Sequence, residues 1–199
     1  MQPLLEQVPE RVETERLILR MPCRADAAAL NHAVCESLED LRVCMPWAQT
    51  LPSLAQSDAD CRRMHARFLL REDLTFFMFE RRSDGSEGAF TGGCGLHRID
   101  WQVRRFELGY WCRSSRTRQG FVTEAARALC RVAFDQLQAR RVEVRMDDLN
   151  ERSWQVAERA GFVFEGLLRR DSLNPRGEPR DTRVYALAAA VPPKARGQP

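Results

Sequence analysis

The residues best suited to chemistry lie in Arg116 to Ala126, RTRQGFVTEAA. This stretch follows an apolar run and opens a segment whose Ala126, Leu129, Ala133 and Leu137 recur at helical spacing. No aspartate or asparagine in the preceding turn caps that helix, so its first N–H groups lack partners and point at whatever lies ahead. A pyrophosphate is a natural occupant of such a place, assisted by the helix dipole. Gly120 allows close backbone approach, and Arg116 and Arg118 add positive charge. An ordinary strand–turn–helix would use the same residues, and the turn alone leaves both readings open. A second candidate runs from Asn150 to Phe162, where Asn150 can cap a helix and Gly161 can take the left-handed position past its end. Helix capping alone accounts for both residues.

Elements that could position these residues follow from periodicity. Glu13 to Arg20 reads as a first strand, and Ala25 to about Leu70 as helix interrupted by Pro46 and Pro52, with Trp47 in a loop. Asp58 is the expected cap of a helix carrying Cys61, Met64 and Phe68 on one face. Strands are expected at Thr75–Phe79, Ala89–Leu96 and Arg105–Cys112, forming an antiparallel meander. A helix from Thr123 to about Gln138, a strand Arg141–Met146 and a helix Glu151–Ala160 come next. Strands Phe162–Leu168 and Thr182–Ala188 complete the pattern, with a disordered tail from Pro192. Neither repeats nor a second core are apparent, which gives one α/β domain over residues 1–191 with a mixed sheet.

Composition narrows the chemistry. Of 31 basic residues only Lys194 is not arginine, and the arginines are spread among 28 acids rather than clustered as in a nucleic-acid footprint. Without a lysine before the tail, neither a Walker-type phosphate loop nor a pyridoxal-phosphate Schiff base is available. Seven cysteines without a CxxC pair fit reduced thiols in a cytoplasmic protein, and three scattered histidines give no zinc-site spacing. No signal peptide and no membrane-length apolar run is visible. The sequence admits a homodimer and gives no sign of nucleic-acid or membrane partners.

The turn resembles the acetyl-CoA pyrophosphate loop, Q/R-x-x-G-x-G/A, of the GNAT superfamily of N-acetyltransferases. With ELGYW before it and TEA after it, it resembles the RimJ/RimL-type branch. TERLILR at Thr14, MPWA at Met45 and NERSWQVAERAGF at Asn150 extend the likeness over Thr14 to Leu187. Thr117 and Val122 depart from the usual loop residues, and binding through main-chain N–H groups makes such changes tolerable. The resemblance implies a mixed, mostly antiparallel sheet flanked by helices, with strands splayed at the acetyl-CoA site. Tyr110, Trp111, Arg116, Arg118, Gln119, Gly120, Phe121, Val122, Thr123, Asn150 and Ser153 would contact the coenzyme.

Chemistry follows from the same resemblance. A neutral amine attacks the acetyl thioester, and no metal is needed. Many members have a tyrosine seven residues after the asparagine to protonate the departing thiolate; here Ala157 stands there. Ser153 is the implied acid, although a serine in a first helical turn is also an ordinary solvated residue. Glu107 is the first candidate base and Asp171 the second, while a strand carboxylate paired with arginine is the plain alternative for Glu107. A main-chain N–H of Trp111 or Tyr110 would face the developing oxyanion. Glu36, Glu39 and Asp40 beside Trp47 could attract the acceptor, or form a solvated helix end next to a core tryptophan. The branch implies the N-terminal α-amine of a protein as acceptor. Small amines, such as aminoglycosides, polyamines or amino acids, and a non-catalytic acyl-CoA sensor are the alternatives.

Overall fold

The computed structural model describes residues 3–189. Eight strands form one sheet: β1 (Arg11–Glu13), β2 (Leu17–Arg20), β3 (Leu74–Arg81), β4 (Glu87–Asp100), β5 (Arg105–Cys112), β6 (Arg141–Asp147), β7 (Val163–Leu173) and β8 (Pro179–Ala188). Their order is β1-β2-β3-β4-β5-β6-β8-β7, antiparallel throughout except between β5 and β6. The expected single strand at Glu13–Arg20 is instead the turn and second arm of a hairpin, because Thr14 bonds across to Leu17 and reverses the chain.

Alternation along the strands builds a core on each face. Phe77 and Phe79 pack with Ile18 and Phe90 under α1 (Ala27–Cys44) and α2 (Leu54–Leu69). Phe76 and Met78 pack with Leu96, Phe106 and Leu108 under α3 (Phe121–Arg131) and α4 (Glu151–Ala160). The aromatic run at Thr75–Phe79 therefore serves both layers, which is why it lacks a polar face.

The one parallel pair is short. β5 and β6 are joined only from Arg105–Glu107 to Arg141–Glu143. Beyond that point β5 follows β4 to Cys112 and β6 follows β8 to Asp147, so the sheet opens as a V. Both α3 and α4 begin beside this opening.

Several boundaries differ from expectation, three of them by enough to matter. α2 begins four residues before Asp58, capped by Ser53, which accepts from the Gln56 N–H while the Gln56 side chain returns to the Ser53 N–H. That reciprocal box is stronger than a lone aspartate, and Asp58 instead binds Arg24 and Arg62. α3 is regular only to Arg131 and closes in a π-turn, Val132–Gln136. β7 runs on to Leu173, carrying Asp171 inside the strand. α4 has the expected span, with Asn150 capping and Gly161 left-handed at φ 99°. The expected tail from Pro192 lies outside the described residues. Replacing Ser53 with Ala should remove about 1 kcal/mol of stability, read as a lowered midpoint of thermal unfolding. An unchanged midpoint would show that α2 does not depend on this cap.

Candidate active site

A cleft of about 1520 Å³ enters the V between β5 and β6. It is lined by the Arg116–Glu124 turn, the first turn of α4 and the last turn of α1. That volume exceeds the usual range for drug-sized ligands and suits a long one. At the turn, Gly120 stands just before α3 with φ 81°, and no side chain caps the helix. The N–H groups of Phe121, Val122 and Thr123 thus open α3 toward the cleft, as an anion site requires. Arg118 and Gln119 are exposed on the turn, and Arg118 is itself left-handed at φ 61°. Arg116 lines the cleft but is paired with Glu80 at 2.9 Å.

The turn is fastened from the far end of the chain. Arg16 donates to the Gln119 carbonyl at 2.9 Å and to Glu124 Oε2 at 2.7 Å. Thr14 donates to the other Glu124 oxygen at 2.6 Å, and the Arg16 N–H does so at 2.9 Å. Burial pushes the Glu124 carboxyl up, but these donors outweigh it and hold the group below its ordinary value. The Thr14–Arg20 and Thr123–Ala125 motifs, more than 100 residues apart, thus meet at Glu124. Arg127, Arg131 and Arg159 also line the cleft, and helical spacing from the turn would have found the first two.

At the apex of the V, Tyr110 and Ser153 meet. Tyr110 Oη donates to the Ser153 carbonyl at 2.9 Å, and Ser153 Oγ donates to Tyr110 Oη at 3.2 Å. Burial pushes the Tyr110 phenol up to about 12, so it keeps its proton at neutral pH. The Ser153 N–H is held by Asn150 Oδ1 at 3.2 Å, and the Asn150 amide nitrogen has no partner among the described residues. The Arg113 N–H donates to Thr91 across the β4–β5 ladder. With the two-residue alternation of that register, the Trp111 N–H also faces β4, whereas the Tyr110 N–H faces the opening. Of these two main-chain N–H groups, only that of Tyr110 is directed at the opening.

The other end of the cleft is partly acidic. Glu39, Asp40, Val43 and Met45 line it opposite Leu149 and Arg152. Glu36 is not among the lining residues: Arg113 grips it at 2.7 Å and the Ser115 N–H donates to it at 3.0 Å. Arg113, with Ser115, holds the Glu36 carboxyl down at about 2. Asp40 accepts from the Ser114 hydroxyl. Glu36 thus braces the segment that leads into the Arg116–Glu124 turn. Trp47 is neither a core residue nor part of the main cleft wall; it is 56% exposed and meets Trp111 edge-on at 5.9 Å. Glu107 lies on the α1/α2 face, outside the lining, 3.3 Å from Arg98, and burial pushes its carboxyl above its ordinary value. Asp171 is bound to Arg145 at 2.9 Å, which leaves it a structural partner of β6.

Since φ at Gly120 is positive, any side chain there is strained, and strain must be separated from charge. Gly120→Asn and Gly120→Asp place similar side chains in the left-handed region that both tolerate better than other residues. Calorimetry should show coenzyme affinity at least 10-fold weaker for the aspartate variant than for the asparagine variant, about 1.4 kcal/mol. Equal affinities would remove the phosphates from this turn.

Comparison with known proteins places this geometry. The family model for the acetyltransferase (GNAT) domain matches residues 16–163. YdaF of Bacillus subtilis (strain 168), provisionally named a ribosomal N-acetyltransferase, is 37% identical over 101 residues, spanning 51% of this chain and 55% of that protein. The ribosomal-protein-serine acetyltransferase of Escherichia coli (strain K12) is 27% identical over 187 residues, spanning 87% of this chain and 96% of that protein. The solved structure of the microcin C7 self-immunity acetyltransferase MccE, in complex with acetyl-CoA and AMP, superposes with a TM-score of 0.83. It is 19% identical and covers 92% of this chain and 98% of its own, a likeness of fold. A family match that takes in the Arg16 clamp, the uncapped turn and the Asn150–Ser153 cap alike shows that the chain belongs to the GNAT acetyltransferases, acetyl-CoA-dependent N-acetyltransferases, close to their ribosomal-protein branch.

Proposed function

We propose that this chain acetylates the N-terminal α-amine of a protein, with acetyl-CoA as donor. The observation that carries the acceptor is the exposed apolar rim beside the acidic end of the cleft. Val43 is 62%, Trp47 56% and Leu149 86% exposed. A small amine needs an enclosed pocket, whereas a peptide terminus needs an open groove with apolar surface to lie on. The name of the Escherichia coli relative, which acts on a ribosomal protein, supports the same choice.

The donor supplies an activated acetyl thioester when bound, so the protein has chiefly to hold and orient it. Main-chain N–H groups at Phe121–Thr123, with Arg118, suit the pyrophosphate, and the free amide nitrogen of Asn150 suits the arm that follows. The Tyr110 N–H faces the opening, where it can meet charge on the carbonyl oxygen. The Ser153 hydroxyl supplies the proton for the departing sulfur. Tyr110, protonated and donating to the Ser153 carbonyl, holds that serine in place.

Ser153→Ala should therefore lower kcat by about 100-fold, the lower range for a general acid, and leave acetyl-CoA affinity within about twofold. Wild-type kcat across the pH range would leave water as the acid. For the acceptor, turnover should be faster with peptides bearing a free N-terminus than with spermidine or an aminoglycoside, and Trp47→Ala should raise the KM for peptide alone. Preference for a small amine would replace the protein-terminus reading with the small-amine one. No turnover with any amine, despite acetyl-CoA binding, would favour a sensor.

A further inference from the structure

His97 sits on β4 opposite Glu107 of β5, and its ring leans back along the sheet over the next pair, Gly95 and Gly109. A Cβ on Gly109 would lie 2.8 Å from Cδ2 and 3.0 Å from Nε2, and one on Gly95 would lie 2.9 Å from Nε2. Two facing glycines thus clear a slot for one imidazole. Gly109 lies two residues beyond Glu107, the last β5 residue paired with β6, so the slot borders the vertex of the V on the α1/α2 face, beside the cleft lining that begins at Tyr110.

The ring has a defined orientation. Nδ1 is 2.8 Å from Asp73 Oδ2, and Asp73 also accepts from Thr75 Oγ1 at 2.7 Å. An ionised carboxylate can only accept, so Nδ1 carries the hydrogen and Nε2 of the neutral ring keeps its lone pair. Nε2 has no hydrogen-bond partner among the described residues, and the side chain is 32% exposed. The groups facing it are few. Asp73 is approached by Arg67 of α2 at 3.7 Å, itself shared with Glu72. Glu107 lies across the strand pair with Arg98 at 3.3 Å, and Glu143 and Arg145 of β6 act on Glu107 from beyond.

We propose that His97 Nε2 is the proton acceptor for the incoming amine, with Asp73 fixing the ring and Glu107 facing the charge that forms. This rests on the reading that the acceptor is an amine. An ammonium gives one proton to Nε2, producing imidazolium and a free amine. The amine nitrogen forms the C–N bond, the C–S bond breaks with its electron pair on sulfur, and the nitrogen's surplus proton balances the thiolate through Ser153. Imidazolium returns its proton to water, so each turnover releases one proton. The geometry supports this division. Trp111 packs with the α1/α2 layer, and His97 and Gly109 share its face, while Tyr110 and Ser153 lie on the α3/α4 side. The amine is deprotonated on one face of the opening and sulfur is protonated on the other.

The test uses a serine-initiated peptide and spermidine as acceptors. His97→Gln should lower kcat about 100-fold with whichever amine the wild type accepts, remove the acidic limb of the kcat/KM profile, and leave acetyl-CoA affinity within about twofold. Asp73→Asn should give a smaller loss through the wrong tautomer, and added imidazole should partly restore His97→Ala. Nitrogen NMR of the protein with acetyl-CoA alone should find the neutral ring protonated at Nδ1, a readout that needs no acceptor. Wild-type kcat and pH profile in His97→Gln, or a ring protonated at Nε2, would overturn the assignment. Failure of the wild type on both amines, with the Nδ1 tautomer present, would count against the amine reading and leave the geometry of the dyad upheld.

Discussion

Beyond Glu107 and Glu143, β5 and β6 share no hydrogen bonds, and the polar edge this leaves governs what surrounds it. Unpaired main-chain groups inside a protein are costly, and a sheet normally closes over them. Here each strand is restrained from its outer side instead. β4 keeps β5 straight to Cys112, and β8 keeps β6 straight to Asp147. The cross-pinning by Tyr110 and Ser153 then fixes how far the V can open on the helical side. Two helix starts and one strand N–H consequently face a single space. A ligand with phosphates at one end and a carbonyl at the other would complete all of them.

Arginine serves as the fastener throughout. A planar guanidinium forms two directed bonds where an ammonium forms one, so an arginine-rich chain can lock turns that have little core of their own. Arg20 grips Asp26 with both terminal nitrogens, Arg104 grips Glu6, and Arg141 grips Glu165 in the same way. Most of these pairs are partly solvated and add little to stability individually. Their value is geometric, and Arg113 with Glu36 shows it. The Glu36 carboxylate, an expected acceptor contact, instead holds the segment before the Arg116–Glu124 turn.

What was legible in the sequence was local. Asn150 and Gly161 mark both ends of α4 because capping depends on residues within one turn, and the meander was readable from its apolar runs. The start of α2 departs from the expected Asp58 cap because the Ser53–Gln56 box directly after Pro52 satisfies the first N–H groups four residues earlier. Trp47 read as a loop residue is a loop residue, but its 56% exposure depends on how α1 ends against Trp111. The His97–Asp73 pair was illegible for a different reason. Its partners are 24 positions apart and meet only when β3 and β4 are in register. Nothing local marks Gly95 and Gly109 either, since their need for no side chain comes from the ring that lies over both.

The Thr14–Arg16 contact with Glu124 joins positions 110 and 108 apart in the chain. Closing so long a loop carries an entropy that grows only slowly with length, but it must be met before the contact gives anything back. In kinetic terms the turn is a late-forming feature. The hairpin that supports it emerges during synthesis before its partner, which follows more than 100 residues later. In the nascent protein β1 to β5 can therefore pair before the turn is fastened, while β6 to β8 follow it. A ligand that binds only the fastened turn would, by mass action, disfavour detachment of the N-terminal hairpin that Arg16 ties to it. Amide-exchange protection in β1 and β2 thereby becomes a remote gauge of occupancy at the other end of the sequence.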